Sequence, residues 1–283
     1  DDHMVDISVS SPALGFSAPV RMILPKDYNS QPEETWPVLF LLHGCCEVQD
    51  YKAWTHYTDV EKFMQDKNVL VVMPSDGEAG MYSDWWNFWM SSKPGYETFH
   101  MTELEQLIKR NYRASDTQAI AGLSIGGYGA MEYATRYPGR FAAAASYSGV
   151  LDTVYPVITQ ILQGILIRES ENPFALWGDV FANNGLWSDH NPYDNTAKLR
   201  GTKLFVSSGN GTPGPLDPPG TGWGALESGA QAASQMFTDK LKQQGIPVTT
   251  DYYGNGTHAW PYWQQEFHKS WPLLASGLGV PTS

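Results

Sequence analysis

Short apolar runs recur along this chain, and each is followed by a polar turn or by a stretch of helical length. Residues 37–42 and 68–73 are almost continuously apolar and have the length of a strand. Continuous apolarity is expected of strands that are buried on both faces. We predict further strands at residues 117–121, 141–147, 203–207 and 248–253, and an edge hairpin from residues 5–10 and 18–24.

Helices are expected between these strands. Residues 98–112 place Leu104, Leu107 and Ile108 at helical spacing, and other helices are predicted at 58–67, from 127 onward and at 263–271. Strands that alternate with helices predict an α/β fold, in which a mostly parallel central sheet carries helices on both faces. We expect one domain over residues 1–283, with its reactive residues beyond the carboxyl ends of the strands.

Two segments interrupt this alternation. Residues 152–195 contain a candidate helix at 154–167 and then a loop rich in Trp, Asn and Asp, and we interpret them as an excursion over the active-site face. Residues 209–224 form a loop rich in Pro and Gly. Long ordered loops on such folds are usually functional, so both segments are expected to border a binding site.

The composition narrows the classes of partner. The chain has 18 Lys and Arg against 30 Asp and Glu, a net charge of −12, and no basic cluster. We therefore expect neither nucleic acid nor an anionic membrane surface as a partner. No apolar run reaches the ~18–20 residues that span a bilayer, so no stable membrane insertion is expected. The chain is expected to be a monomer.

The start of the chain and its cysteines bear on the compartment. Residues 1–4 are interpreted as a vector remnant. A removed leader would leave such a start, so its absence does not exclude the secreted or cell-envelope location that we expect. Cys45 and Cys46 are adjacent, and a bond between neighbouring cysteines would be strained. We expect two free thiols that pack as small apolar side chains.

The run Gly-Leu-Ser-Ile-Gly at residues 122–126 carries the clearest chemical signal. A predicted strand precedes it and a helix rich in small residues follows it, as a Gly-x-Ser-x-Gly turn requires. Such a turn holds its serine in a strained conformation with the hydroxyl exposed at the edge of the sheet. Ser124 is therefore the candidate nucleophile, and a chance match of the short pattern is the alternative.

A serine hydroxyl needs a base, which follows the serine along the chain in this fold. His258 lies in a glycine-containing loop directly after the last predicted strand, from which an imidazole can reach Ser124. His190 precedes the last two strands, and His268 lies in the terminal helix. His258 is therefore the predicted base.

An acid must orient this base, and three carboxylates follow the strand at 203–207. Asp217 follows it most closely, Glu227 lies at the end of the long loop, and Asp239 lies farther on. Spacing alone does not choose among them.

An oxyanion hole needs two backbone N–H groups. One is expected from Ile125, directly after the nucleophile. The other is expected from Cys45, in the loop after the strand at 37–42, where Gly44 permits a sharp turn.

Several stretches carry a resemblance that runs nearly the full length of the chain. They include Val-Val-Met-Pro at 71–74, Tyr-Ser-Asp-Trp at 82–85 and Gly-Thr-His-Ala-Trp-Pro-Tyr-Trp at 256–263. On these stretches the chain resembles the esterase D-like branch of the α/β hydrolases, and within it the antigen 85 mycolyltransferases and secreted esterases. The acid of that family is a glutamate in a Leu-Glu pair, so the resemblance implies Glu227 as the acid.

The chain departs from the mycolyltransferases in one loop. Their oxyanion loop reads Asp-Gly-Leu-Arg, and its Asp and Arg belong to the sugar-binding site. Here the same positions are His43, Gly44, Cys45 and Cys46. The cysteines of the disulfide typical of that family are also missing. The resemblance therefore implies the hydrolytic machinery more strongly than the transfer of a mycolyl group to trehalose.

The leading hypothesis is a serine carboxylesterase that hydrolyses a small-molecule or lipid ester through an acyl-enzyme on Ser124. One alternative is an acyltransferase that passes the acyl group to a sugar or glycerol hydroxyl, and another is a non-catalytic binding or adhesion protein on the same fold. No cofactor and no metal is expected, because no metal-ligand spacing occurs. The side chains expected to contact substrate are His43, Trp85, Trp86, Trp89, Trp223 and Trp260, with core packing as the alternative for each Trp.

Overall fold

Eight strands join into one sheet within residues 3–282, the part of the chain that this computed structural model describes. They are β1 (Met4–Ser11), β2 (Phe16–Ile23), β3 (Trp36–Leu42), β4 (Leu70–Pro74), β5 (Ala114–Leu123), β6 (Phe141–Tyr147), β7 (Lys203–Ser208) and β8 (Thr249–Tyr252). The order across the sheet is β1-β2-β4-β3-β5-β6-β7-β8. β1, β2 and β4 pair antiparallel and every other pairing is parallel, which confirms the predicted mostly parallel sheet.

The central strand β3 shows why its apolar run is unbroken. Val38 and Phe40 enter the hydrophobic core on one face of the sheet, and Leu39 and Leu41 enter the core on the other. Successive side chains of a strand point to opposite faces, so a strand covered on both sides needs apolar residues at every position. Each such buried side chain contributes about 1.5–3 kcal/mol relative to exposure.

Helices cover both faces of the sheet. They are α1 (Ala53–Tyr57), α2 (Val60–Met64), α3 (Tyr96–Thr98), a π-helical segment (Phe99–Leu104), α4 (Glu105–Asn111), α5 (Ile125–Arg136), α6 (Pro156–Arg168), α7 (Asn184–Asp189), α8 (Ala225–Gln243) and α9 (Trp260–Leu278). Helices α1, α2 and α9 cover one face, where Trp54, Met64 and Phe267 pack together. Helices α5, α6 and α8 cover the other face. No helix in the described range has the length and apolar character needed to cross a membrane.

Two predicted helices differ from the observed ones. The crossover helix predicted at 58–67 is instead the pair α1 and α2, because Thr58 interrupts it. Thr58 has an extended backbone (φ −135°), its hydroxyl donates to the Trp54 carbonyl, and it accepts from the Val60 N–H over 3.3 Å. The helix predicted at 98–112 begins earlier, at Tyr96, and is π-helical over its middle part.

The two ends of the segment 152–195 are joined to each other, and its middle contacts the loop after β4. Its base is closed by Asn191, whose side chain accepts from the Thr153 N–H (3.0 Å) and donates to Asp152 (2.9 Å). Farther along, its backbone accepts hydrogen bonds from the Trp86 and Asn87 N–H groups. The segment therefore packs against the Trp-rich loop that follows β4.

Candidate active site

Ser124 occupies the sharp turn between β5 and α5. Its backbone angles are φ 53° and ψ −123°, a conformation that costs a non-glycine residue about 1–3 kcal/mol. A Cβ on Gly122 would lie 2.2 Å from the Gly126 carbonyl oxygen, and a Cβ on Gly126 would lie 2.3 Å from the His43 carbonyl oxygen. The packing therefore requires glycine at both positions that flank the serine in the sequence pattern.

The imidazole of His258 bridges Ser124 and Glu227. Its Nε2 lies 2.8 Å from the Ser124 Oγ, and its Nδ1 lies 2.6 Å from the Glu227 Oε2. Glu227 is fully buried, while the His258 side chain is 15% exposed. With Nδ1 donating to the carboxylate, Nε2 is free to accept the serine proton.

The other carboxylate oxygen of Glu227 is held by several donors. Its Oε1 accepts from the Ser148 hydroxyl (2.7 Å), the Ser208 hydroxyl (3.0 Å) and the Gly209 N–H (2.7 Å). The Ser148 hydroxyl in turn accepts from the Trp263 indole N–H over 3.0 Å. These bonds leave Oε2 for His258 and fix the direction in which the carboxylate faces the ring.

Asp217 contacts the loop that carries His258 but not its ring. Its carboxylate accepts from the Thr257 hydroxyl and, over 2.8 Å each, from the Gly214 N–H and the Tyr262 hydroxyl. Desolvation alone would raise the pKa of Asp217, but the hydrogen bond from Thr257 and those from Gly214 and Tyr262 hold it below its usual value. Asp217 is therefore placed to support the loop.

The other residues considered as acid or base do not contact Ser124 or His258. Asp239 is exposed on α8. His190 bonds to the buried Glu132 over 2.9 Å, and His268 bonds to Asp59 over 2.9 Å. Among the described residues, the carboxylate in contact with the His258 ring is that of Glu227.

The loop after β3 lies against the nucleophile. A Cβ on Gly44 would be 3.3 Å from the Ser124 Cβ and 3.8 Å from its Oγ. Within residues 3–282 the next N–H, that of Cys45, has no protein acceptor. Ile125 is the first residue of α5, where a helix leaves its N–H groups without intrahelical partners. Two N–H groups near Ser124 are thus available to an oxyanion.

Cys45 and Cys46 are joined by a disulfide, so the prediction of two free thiols is wrong. Cys46 has a positive φ of 77°, and its N–H donates to the Glu78 carbonyl over 3.0 Å. This turned backbone brings the two adjacent sulfurs together, which an extended chain would not do.

His43 lies beneath the oxyanion loop and is only 2% exposed. Its Nε2 contacts Asp50 over 3.0 Å, and its Nδ1 contacts the Gly44 carbonyl oxygen over 2.5 Å. Burial alone would lower the pKa of His43, but the charge and hydrogen bond of Asp50 raise it to about 9. The structure therefore places His43 buried under the loop, whereas the sequence-based prediction had its side chain in contact with substrate.

The predicted tryptophans lie in separate places. Trp85, Trp86 and Trp89 line a cavity of about 470 Å³ together with Leu176 and Trp177 of the 152–195 segment. The lining of this cavity includes none of Ser124, Glu227 and His258.

Two other tryptophans lie elsewhere. The ring centroids of Trp260 and Trp263 lie 5.3 Å apart. Trp263 in turn contacts the His258 ring edge-on, with 4.9 Å between the centroids. Trp223 is 65% exposed on the loop between β7 and α8. Trp260 is thus linked to the site through Trp263.

The sequence reasoning missed three polar supports of the site. Ser148 follows β6 directly and Ser208 ends β7, so their place at the carboxyl ends of strands was a usable signal. Asp50 carried no such signal, because it lies in a short 3₁₀ turn far from the serine in sequence.

Ser124 lies in the turn after β5, Glu227 follows β7 and His258 follows β8, and this order on such a sheet is that of an α/β hydrolase. Residues 11–274 match the family described as "Putative esterase", and the chain belongs to that family.

Relatives and solved structures agree with this assignment. Esterase Rv1288 of Mycobacterium tuberculosis is 30% identical over 83% of this chain, which spans about half (51%) of that protein. The diacylglycerol acyltransferase/mycolyltransferase Ag85B of Mycobacterium leprae is 28% identical over 98% of this chain and 92% of its own length. MPT51 of M. tuberculosis shares the fold, with a TM-score of 0.81 at 23% identity over 97% of this chain and 98% of its own. The two relatives are thus named as an esterase and as an acyltransferase, and the solved structure shows the shared fold.

Proposed function

We propose that this chain is a serine carboxylesterase. The observation that carries the proposal is the continuous chain of hydrogen bonds from the Ser124 hydroxyl through both nitrogens of His258 to the buried Glu227. This arrangement removes the hydroxyl proton at the moment of attack and stabilises the resulting imidazolium.

The reaction proceeds in two halves. The Ser124 Oγ bonds to the ester carbonyl carbon while its proton passes to the Nε2 of His258. The carbonyl oxygen becomes an oxyanion that accepts from the Cys45 and Ile125 N–H groups. The bond to the alkoxy group then breaks as His258 returns the proton to it. Water then attacks the acyl-enzyme while its proton passes to the same Nε2. The bond between the acyl carbon and the Ser124 Oγ breaks, His258 returns the proton to that oxygen, and the acid leaves.

Replacement of the nucleophile tests the proposal. Ser124→Ala is expected to lower kcat toward p-nitrophenyl acetate by about 10⁶-fold. The matched control is Ser115→Ala at the other end of the same strand β5, which should keep wild-type turnover. A Ser124→Ala protein with full turnover would overturn the proposal.

The acyl acceptor is proposed to be water. Support comes from the two loop positions that are charged in the mycolyltransferases: His43 is sealed beneath the loop here, and Cys46 is held in a disulfide. The match to Ag85B favours the alternative, transfer to a sugar or glycerol hydroxyl. Product analysis with added trehalose or glycerol separates the two, since transfer yields a new ester at the expense of free acid.

A non-catalytic binding protein is the third candidate. A fluorophosphonate probe decides it, because the probe bonds covalently only to an activated serine. Wild-type protein should be labelled at Ser124, and the Ser124→Ala variant should not. Wild-type protein that resists the probe and does not hydrolyse esters would be a binding protein on the same fold.

We further propose a single domain over 1–283, a secreted or cell-envelope location and a monomeric state. Two core clusters that share one sheet support the single domain. The Cys45–Cys46 disulfide supports the location, because disulfides persist in oxidising compartments. Sedimentation of the purified protein tests the monomer.

A further inference from the structure

Each ring nitrogen of His43 faces a hydrogen-bond acceptor, and Nε2 also lies 3.2 Å from the Asp76 N–H. Nδ1 lies 2.5 Å from the Gly44 carbonyl oxygen, and Nε2 lies 3.0 Å from the Asp50 Oδ2. A carbonyl oxygen cannot donate, so Nδ1 must carry a proton. The Asp76 N–H lies closer to Asp50 Oδ2 (2.9 Å) than to Nε2, and this oxygen also accepts from the Ser75 hydroxyl over 2.9 Å. The 3.0 Å contact between Nε2 and this carboxylate oxygen therefore favours a proton on Nε2 as well. The geometry therefore favours an imidazolium.

The contact with Gly44 has a consequence for the next N–H. The Gly44 C=O and the Cys45 N–H belong to one planar trans peptide, in which they point in opposite directions. A bond that fixes the carbonyl toward His43 thus fixes the N–H away from it. Gly44 itself lies against Ser124, so the orientation of this peptide sets where the Cys45 N–H stands relative to the nucleophile.

We propose that His43, held as an imidazolium by Asp50, is a positioning residue that aims the Cys45 N–H at the oxyanion. The inference rests on the proposed esterase function. The positive ring also withdraws electron density from the peptide through its carbonyl oxygen, which makes the Cys45 N–H a stronger donor.

The groups around His43 are compatible with a single positive charge. Burial raises the pKa of Asp76 well above its usual value, whereas in Asp50 the effect of burial is outweighed by His43 and by hydrogen bonds, which lower its pKa and favour Asp50 as the counter-charge. Burial lowers the pKa of His100 to about 4, so His100 is neutral near pH 7. Burial also raises the pKa of Tyr82, whose hydroxyl donates to the His43 carbonyl oxygen over 2.8 Å.

The pH dependence follows from the sign of the shift. The pKa of His43 is raised from 6.5 to about 9 in the folded state. Its contribution is fully present below pH 6.5 and is lost as the pH rises through about 9. We expect kcat to fall above that pH while circular dichroism still reports folded protein.

Two substitutions of His43 separate positioning from packing. The side-chain amide of His43→Asn can replace Nδ1 and donate to Gly44, whereas that of His43→Gln replaces Nε2 and donates to Asp50. We expect His43→Gln to lose about 10–100-fold in kcat with little change in KM, because the oxyanion forms only in the transition state. His43→Asn should retain more activity. A purely structural role predicts the reverse order, since Gln is closer to His in size.

Asp50→Asn tests the charge. It removes the anion that stabilises the imidazolium, so the alkaline fall in kcat should move to lower pH. A folded Asp50→Asn protein with an unmoved alkaline limb, or a His43→Gln protein with wild-type kcat, would overturn the proposal.

A titration of the wild type needs neither a folded variant nor turnover. In ¹⁵N-histidine NMR, both ring nitrogens of His43 should stay protonated up to about pH 9. A His43 that titrates near 6.5 refutes the inference, even if the variants fail to fold. A wild-type protein without esterase activity refutes the proposed function alone, because this titration does not depend on activity.

Discussion

Two histidine–carboxylate pairs lie near Ser124. In each pair one ring nitrogen contacts the carboxylate, and the pairs differ in the group that the other ring nitrogen contacts. In the pair His258–Glu227 that nitrogen faces the serine hydroxyl, and the ring is partly exposed. In the pair His43–Asp50 it faces the Gly44 carbonyl, and the ring is sealed. A hydroxyl can give up a proton and a carbonyl has none to give. A histidine paired with a carboxylate can therefore take up and return a proton at His258 and keep a fixed positive charge at His43.

The largest loss of kcat is expected from Glu227→Gln, because Glu227 bonds to His258, the histidine that must take up and return a proton. The Gly209 N–H faces Oε1, so the new amide must place its oxygen there and turn its NH₂ toward His258. The ring then carries its proton on Nε2 and cannot accept from Ser124. We expect kcat to fall by about 10⁴-fold, measured by steady-state ester hydrolysis.

A surface pair provides the matched control for this substitution. Asp59 bonds to His268 over 2.9 Å, and Asp59→Asn should keep wild-type kcat. A Glu227→Gln variant whose kcat stays within about tenfold of wild type would contradict the proton-transfer role of this pair. A loss of kcat in Asp50→Asn as large as that in Glu227→Gln would mean that the two pairs have the same role.

A smaller effect is expected from Asp217→Asn, which weakens the support of the His258 loop. The pKa of Asp217 is lowered in the folded state, so its contribution is present above its unfolded pKa near 3.8 and is lost only as pH falls through the lower folded value. At neutral pH the substitution should cost roughly tenfold in kcat through misplacement of the ring. The exposed Asp239→Asn serves as control, and equal kcat values for the two variants would contradict the role of Asp217.

The smallest effect is expected from reduction of the Cys45–Cys46 disulfide. A dithiol reductant supplies two electrons and two protons and converts the disulfide to two thiols. His43 still holds the Gly44 carbonyl and Glu78 still accepts from the Cys46 N–H, so kcat should change by less than about tenfold. The double variant Cys45→Ser/Cys46→Ser should not respond to the reductant. Complete loss of activity on reduction would make the disulfide, in place of His43, the main support of the oxyanion loop.

Much of the fold could be predicted because its signals are local. The apolar run of β3, the pattern around Ser124 and the Pro- and Gly-rich loop before α8 each reflect a constraint on consecutive residues. Helix α1 ends where a single threonine hydroxyl competes for a backbone carbonyl, and the spacing of apolar residues in the sequence does not predict such a hydrogen bond.

The site was less predictable wherever it depends on distant contacts. Spacing could not distinguish Glu227 from Asp217, because each lies near the His258 loop and only the side-chain direction separates them. The charge of His43 depends on Asp50 and on burial, and the disulfide depends on a turned backbone at Cys46. None of these is a property of a short stretch of sequence.

The long separation of the triad along the chain also bears on how the protein folds. Ser124 and His258 are 134 residues apart, and the histidine follows β8, the last strand along residues 3–282. Contacts between residues so far apart in sequence form late, because the chain must lose the entropy of closing a long loop before these contacts can stabilise it. A refolding chain would thus recover most of its helical signal before it could react with a fluorophosphonate, and covalent labelling of Ser124 would time the arrival of the final strand.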